Sequence, residues 1–114
     1  MVKWFRYQYP QYRLISIPNG SWVAGTGNRR FALINKYKAE GMTPGVSDLF
    51  LCVGNENFHG LWLEMKSKGK RLSDKQFEWS EDMRKAGYIT DTAYSFEQAK
   101  QIIENYLKEI GLEV

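Results

Sequence analysis

The sequence predicts an α/β fold, a mixed β-sheet flanked by helices, on three observations. Ser73 with Gln76 and Ser95 with Gln98 have the spacing of a capping box, each at the head of a helical segment. Short runs rich in branched and aromatic residues alternate with these segments, giving the order helix, strand, helix, strand, strand, helix, strand, helix. Two of the runs, Asp48 to Val53 and Gly60 to Lys66, are apolar on both faces, as interior strands are.

The elements follow in order. A short N-terminal helix belongs to an aromatic segment containing Trp4, Phe5, Tyr7, Tyr9, Tyr12 and Trp22. Such residues serve base stacking, a subunit interface or a core; core or interface is favoured, because so much apolar area on a short helix must cover something. Tyr12 to Ile17 reads as a strand closed by a turn at Pro18-Asn19-Gly20. Asn28 is positioned to cap a helix running to Glu40, with Gly41 as its left-handed terminator. On that helix Arg29 and Lys36 share a basic face while Leu33 and Tyr37 share another. Thr43-Pro44-Gly45-Val46-Ser47 is a turn, and the two interior strands then form a hairpin through Gly54-Asn55-Glu56-Asn57. The next helix starts at Asp74, with Leu72 placed to staple onto Phe77, and stops near Gly87. Tyr88 to Tyr94 is a strand. Ala99, Ile102, Ile103, Tyr106, Leu107 and Ile110 make the core stripe of the last helix, which ends at Gly111.

With 114 residues, 43% of them hydrophobic, the chain has material for one core, and residues 1–114 read as a single domain. No apolar run reaches the roughly 20 residues that span a bilayer, and no signal-peptide pattern opens the sequence, so a soluble, cytoplasmic protein is expected. Cys52 is the lone cysteine and has no disulfide partner; core packing is its expected role.

Chemistry concentrates at Asp48, Glu64 and Lys66, at the starts or ends of neighbouring strands. Side chains two apart on a strand share a face about 7 Å apart, so Glu64 and Lys66 point one way and Met65 the other. Two carboxylates and an ammonium then converge at one sheet end, as metal-dependent phosphodiester chemistry requires. A Glu and a Lys two apart are more often a solvated face, but an interior strand seldom carries charge without an ionic or functional reason.

Charge is unevenly distributed. Lys3, Arg6, Arg13, Arg29, Arg30, Lys36 and Lys38 all precede the first acidic residue, Glu40, whereas the remainder has nine basic and thirteen acidic residues; the net charge is +3. A basic half is an electrostatic footprint for a polyanion, and nucleic acid is the natural candidate, with Arg29, Arg30 and Lys36 as phosphate contacts. Lys68, Lys70, Arg71 and Lys75 crowd the entrance of the helix at Asp74, where backbone amides also favour an anion. Gln76 has two compatible readings, as a helix cap alone or, by the family resemblance given next, as a glutamine pointing at the site.

Pro44-Gly45-Val46-Ser47-Asp48, then Glu64-Met65-Lys66, then Gln76 early in the next helix resembles the PD-(D/E)XK nuclease superfamily, most closely its virus-type replication-repair nuclease (VRR-NUC) domain. The resemblance runs from about Ile15 to Tyr88. It implies a restriction-endonuclease-like sheet and a structure-selective DNA endonuclease that uses Mg²⁺, with Mn²⁺ as a substitute. Asp48, Glu64 and the Met65 carbonyl would be metal ligands, and Lys66 and Gln76 would complete the catalytic set. It also implies a homodimer and branched DNA, including Holliday junctions, as substrate. The family usually adds an acidic residue from the first helix, and here none precedes Glu40. A DNA- or junction-binding module with this fold and little turnover is the alternative.

Two other features carry less weight. Gly25-Thr26-Gly27 lacks the strand and the Lys-Ser or Lys-Thr of a phosphate loop and reads as an ordinary loop. His59, the only histidine, is more simply a hairpin residue than a proton carrier near the scissile phosphate.

Overall fold

A computed structural model describes residues 1–18, 27–41 and 43–114. The elements are α1 (Val2–Gln8), β1 (Leu14–Ser16), α2 (Gly27–Ala39), β2 (Leu49–Leu51), β3 (Leu61–Met65), α3 (Asp74–Lys85), β4 (Ile89–Ala93) and α4 (Phe96–Glu109), in the order expected. Trp22, part of the turn at Pro18-Asn19-Gly20 and most of Gly25-Thr26-Gly27 lie outside the described residues.

The strands stand in the order β1-β2-β3-β4. β1 with β2 and β2 with β3 are antiparallel, whereas β3 and β4 are parallel, joined by the α3 crossover. The two doubly apolar runs are therefore interior. Each strand is shorter than its apolar run. At the Asp48 end the reason is visible: the Met65 N–H donates to Asp48 Oδ2 at 3.0 Å, so a side chain replaces the next backbone rung and β2 peels away from β3.

Period-two alternation divides the sheet into two faces. Leu14, Leu49, Leu51, Leu61, Leu63 and Ala93 face α1 and α4, where they pack with Phe5, Ala99, Ile103 and Leu107. Two buried phenols tie this layer together: Tyr9 donates to Glu104 Oε2 at 2.7 Å and Tyr106 to the Val53 carbonyl at 2.5 Å. Burial pushes both hydroxyls up to about 12, with Glu104 adding to the effect at Tyr9. The aromatic N-terminus is thus largely core, although Tyr7 is exposed.

The other face carries Phe50, Trp62 and the polar residues near α3. Cys52 falls here and is exposed, not in the core as expected, because it is in phase with Phe50 and out of phase with Leu49 and Leu51. Phe50 stacks on Trp62 at 4.2 Å, and Trp79 of α3 meets Trp62 edge-on at 4.6 Å. Ser80 donates to Thr90 Oγ1 at 2.7 Å, as does Arg84 Nε, which fastens α3 to β4.

Both helix starts in the second half use their serines. Gln76 N–H donates to Ser73 Oγ and Gln98 N–H to Ser95 Oγ. The Leu72 staple adds little, since Phe77 remains 57% exposed. Asn28 does not cap α2: the helix already begins at Gly27, which places Asn28 in its first turn. Arg29 and Lys36 are exposed and Leu33 and Tyr37 half-buried, as the two-faced pattern requires; α2 packs on no other described helix or strand.

Phe5 is fully buried and is the main apolar anchor of α1. We predict that Phe5→Ala costs about 3–5 kcal/mol in urea unfolding. Phe77→Ala, at an exposed ring, should stay within about 0.5 kcal/mol of the parent.

Candidate active site

The open end of the β2–β3 pair sets the site. Leu49 pairs with Leu63, so Asp48 and Glu64 are the next opposing residues on the face away from the main core. Opposed residues have Cβ atoms about 4.5–5.5 Å apart, and like charges so placed repel. Glu64 is only 6% exposed. Its carboxyl is pushed up to about 7, chiefly by burial and then by the Asp48 charge, while Lys66 pulls the other way.

The surroundings dictate which oxygen of Glu64 stays available. Gln76 Nε2 donates to Glu64 Oε1 at 3.1 Å, and Lys66 Nζ stands 4.0 Å from the same atom. Glu64 Oε2 is buried with no hydrogen-bond partner. A buried, unpartnered carboxylate oxygen beside a second carboxylate is a costly arrangement for a protein alone and a suitable one for a hard cation. The backbone supplies a further donor oxygen. Lys66 N–H bonds to β4, whereas Met65 N–H turns toward Asp48, and an extended residue sends its C=O to the same side as its N–H. Asp48, Glu64 and the Met65 carbonyl therefore fit a divalent cation. Among the described residues no group of three His, Cys, Asp or Glu side chains forms, so a carboxylate from α1 is not part of this site.

Gln76 performs both functions at once. Its Oε1 accepts from the Ser73 backbone N–H at 2.9 Å, completing the capping box, and this turns its Nε2 toward Glu64. The two readings of Gln76 are thus met at once by the two ends of one amide. The sequence reading missed Gly45. Its φ is +88°, and a Cβ there would lie 2.3 Å from the Lys75 carbonyl oxygen and 2.9 Å from Gln76 N. The Pro44-Gly45 turn therefore does more than end a helix: it lets the first turn of α3 rest on the segment leading into Asp48. A glycine three residues before Asp48 was the available signal.

The other sequence-derived positions separate into three groups. Lys68, Lys70, Arg71 and Lys75 are exposed, between the Lys66 end of β3 and the first turn of α3, and Lys75 pairs with Glu78 at 3.9 Å. Arg29, Arg30 and Lys36 lie on α2, apart from the carboxylates, and Lys36 pairs with Glu40 at 4.0 Å. His59 precedes β3 at its opposite end, its backbone N–H bonded to the Gly87 carbonyl and its ring against Tyr88. Five residues of strand, roughly 17 Å, separate it from Glu64, which excludes it from the chemistry.

The sheet, its crossover helix and the motif at its open end define a nuclease of the PD-(D/E)XK type. The chain belongs to the VRR-NUC domain family, whose model matches residues 22–97. It is also similar to a solved VRR_NUC domain protein at 22% identity with a TM-score of 0.76, covering 97% of this chain and 84% of that one. At this identity the likeness is one of fold. Comparison with curated proteins returns no match.

Raising the carboxyl of Glu64 has a stability consequence whose sign is fixed. A raised group stabilises the fold below its ordinary titration range and loses that contribution as pH rises through the folded value. In EDTA, the thermal midpoint of the parent protein should therefore fall between pH 5.5 and pH 8 relative to Glu64→Gln, about the value of 7. Parallel pH profiles for the two proteins would show that Glu64 is not the titrating group.

Proposed function

We propose that this chain is a divalent-cation-dependent endonuclease that hydrolyses phosphodiester bonds in branched DNA, including four-way junctions, as a cytoplasmic homodimer with residues 1–114 acting as one catalytic domain. The supporting observation is the juxtaposition of Asp48 with a buried Glu64 whose Oε2 has no partner. Asp48, Glu64 and the Met65 carbonyl hold Mg²⁺, with Mn²⁺ as a substitute. When bound, the cation supplies a Lewis acid to the scissile phosphate and offsets the charge of the two carboxylates.

The remaining roles follow from the side chains. Lys66, on the same face as Glu64, orients the attacking water and stabilises negative charge as it develops on the phosphate oxygens. Gln76 holds Glu64 Oε1 and so keeps Oε2 directed to the cation. Asp48 is held by the Met65 N–H, which limits the motion of both metal-facing elements. The basic loop of Lys68, Lys70, Arg71 and Lys75 continues from Lys66 and contacts the DNA backbone; Arg29, Arg30 and Lys36 extend that contact from α2. In a twofold dimer two such sites would cut paired strands of a junction.

The missing third carboxylate favours a second reading, a junction-binding module with little turnover. Incubation with a synthetic four-way junction and supercoiled plasmid across a Mg²⁺ and Mn²⁺ series distinguishes the two. Cleavage is expected, lost by more than about a hundredfold in Asp48→Asn, Glu64→Gln and Lys66→Ala, with DNA binding in EDTA retained. Binding without cleavage at every cation concentration would establish the module, and wild-type rates in Asp48→Asn would overturn the site.

A further inference from the structure

Helices α3 and α4 open on the same pairing of a serine with a glutamine three residues on, but only one of the two glutamines reaches the carboxylates. At α4, Gln98 N–H donates to Ser95 Oγ at 3.1 Å and Gln98 Oε1 accepts from the Tyr94 N–H at 2.9 Å. Among the described residues the Gln98 side chain bonds nothing beyond this cap. At α3, Gln76 N–H donates to Ser73 Oγ at 3.2 Å and Gln76 Oε1 accepts from the Ser73 N–H at 2.9 Å. The free end of that amide then donates through Nε2 to Glu64 Oε1 at 3.1 Å.

An amide has a donor end and an acceptor end, so its effect on a carboxylate depends on which end it presents. Turned by half a rotation, Gln76 would set oxygen against oxygen at Glu64 and N–H against N–H at Ser73. The cap opposes that rotation. A backbone N–H can only donate, so the Ser73 N–H selects Oε1 and leaves Nε2 for Glu64. This N–H is aimed by the extended backbone of Ser73, φ −69° and ψ 165°, in which the Ser73 hydroxyl also accepts from the Gln76 N–H. Ser73 is exposed, so water competes for both groups once the reciprocal pair is broken. Glu64 is buried, and Lys66 Nζ, at 4.0 Å from Oε1, stands farther off than Gln76 Nε2.

Resting on the nuclease reading above, we propose that Ser73 is a positioning residue for the cation site: its hydroxyl pins the α3 cap, the cap fixes the orientation of the Gln76 amide, and the amide holds the carboxyl of Glu64 with Oε2 toward the cation. Ser73 itself touches neither cation nor substrate. A threonine at position 73 keeps the acceptor and preserves the relay, whereas an alanine keeps the N–H but loses the contact that aims it. Ser95 supplies the comparison within the same chain, a cap of the same chemistry with no connection to the carboxylates.

The test compares Ser73→Ala, Ser73→Thr and Ser95→Ala with the parent, and adds Gln76→Ala and the double variant Ser73→Ala/Gln76→Ala. Each serine-to-alanine change removes one cap, so both should lower the thermal midpoint by about 4 °C, the effect of a cap as structure. Only Ser73→Ala should also weaken Mn²⁺ binding in calorimetric titration, by about tenfold, with Ser73→Thr returning to the parent value. In the Gln76→Ala background Ser73→Ala should still lower the midpoint but cost no further Mn²⁺ affinity, because the relay is already cut. The Nε2 proton resonances of Gln76, followed by NMR in EDTA, should lie apart from those of exposed glutamines in the parent and in Ser95→Ala, and move to the exposed position in Ser73→Ala. Equal Mn²⁺ affinity in Ser73→Ala and Ser95→Ala, independent losses in the double variant, or an unmoved Gln76 resonance in Ser73→Ala would overturn the proposal. The resonance is read without metal or DNA, so the two readings fail separately. A parent that binds Mn²⁺ and cleaves while Gln76 ignores Ser73 would sink the relay alone, and a Gln76 resonance that answers to Ser73 in a parent that binds no Mn²⁺ would keep the relay and sink the catalytic reading.

Discussion

Two carboxylates face each other where β2 parts from β3, and much of the local architecture answers to that repulsion. A sheet ordinarily avoids like charges on opposed positions, yet Asp48 opposes Glu64, and Glu64 is buried as well. The fold relieves this only in part. Met65 N–H bonds Asp48, Gln76 bonds Glu64 Oε1 and Lys66 adds a positive charge nearby. Glu64 Oε2 is left with nothing. A purely structural ion-pair network would have completed that last contact, since replacing such a network by apolar residues is often neutral for stability. The incomplete satisfaction is what distinguishes a site from a network.

Rigidity around the carboxylates comes from α3. Its first turn leans on Gly45, its Gln76 joins the helix cap to Glu64, and its Ser80 and Arg84 are fastened to Thr90. Trp79 closes the same layer over Trp62. The helix is therefore attached at both the carboxylate-facing end and the middle, and the β3–α3–β4 crossover carries the position of Gln76 to the strand that bears Glu64. Such support fixes Asp48 and Glu64 within the narrow tolerances that a functional site would need.

The order of all eight elements was legible because each had its own local signal: capping serines at Ser73 and Ser95, two doubly apolar runs, and a helical stripe ending at Gly111. Glu64, Lys66 and Asp48 were legible as one group because period two is a strict geometric rule. What the sequence concealed depends on contacts between distant segments. The close approach of Gly45 to Lys75 is a tertiary fact with no local pattern. Cys52 was misread because a run apolar on both faces gives no phase, so which residues turn to the core is decided by the neighbouring strands. His59 was ambiguous for the same reason: only the direction of β3 separates it from the carboxylates.

The central claim is that Asp48 and Glu64 form a cation site whose buried carboxyl must lose its proton to bind. Calorimetric titration of the protein with Mn²⁺ at pH 6, in two buffers of different ionisation heat, counts the protons released on binding. With Glu64 raised to about 7, roughly one proton should leave per ion at pH 6 and almost none at pH 8.5, and Glu64→Gln should release none. Failure to bind Mn²⁺ at either pH, or binding at pH 6 without proton release, would contradict the account.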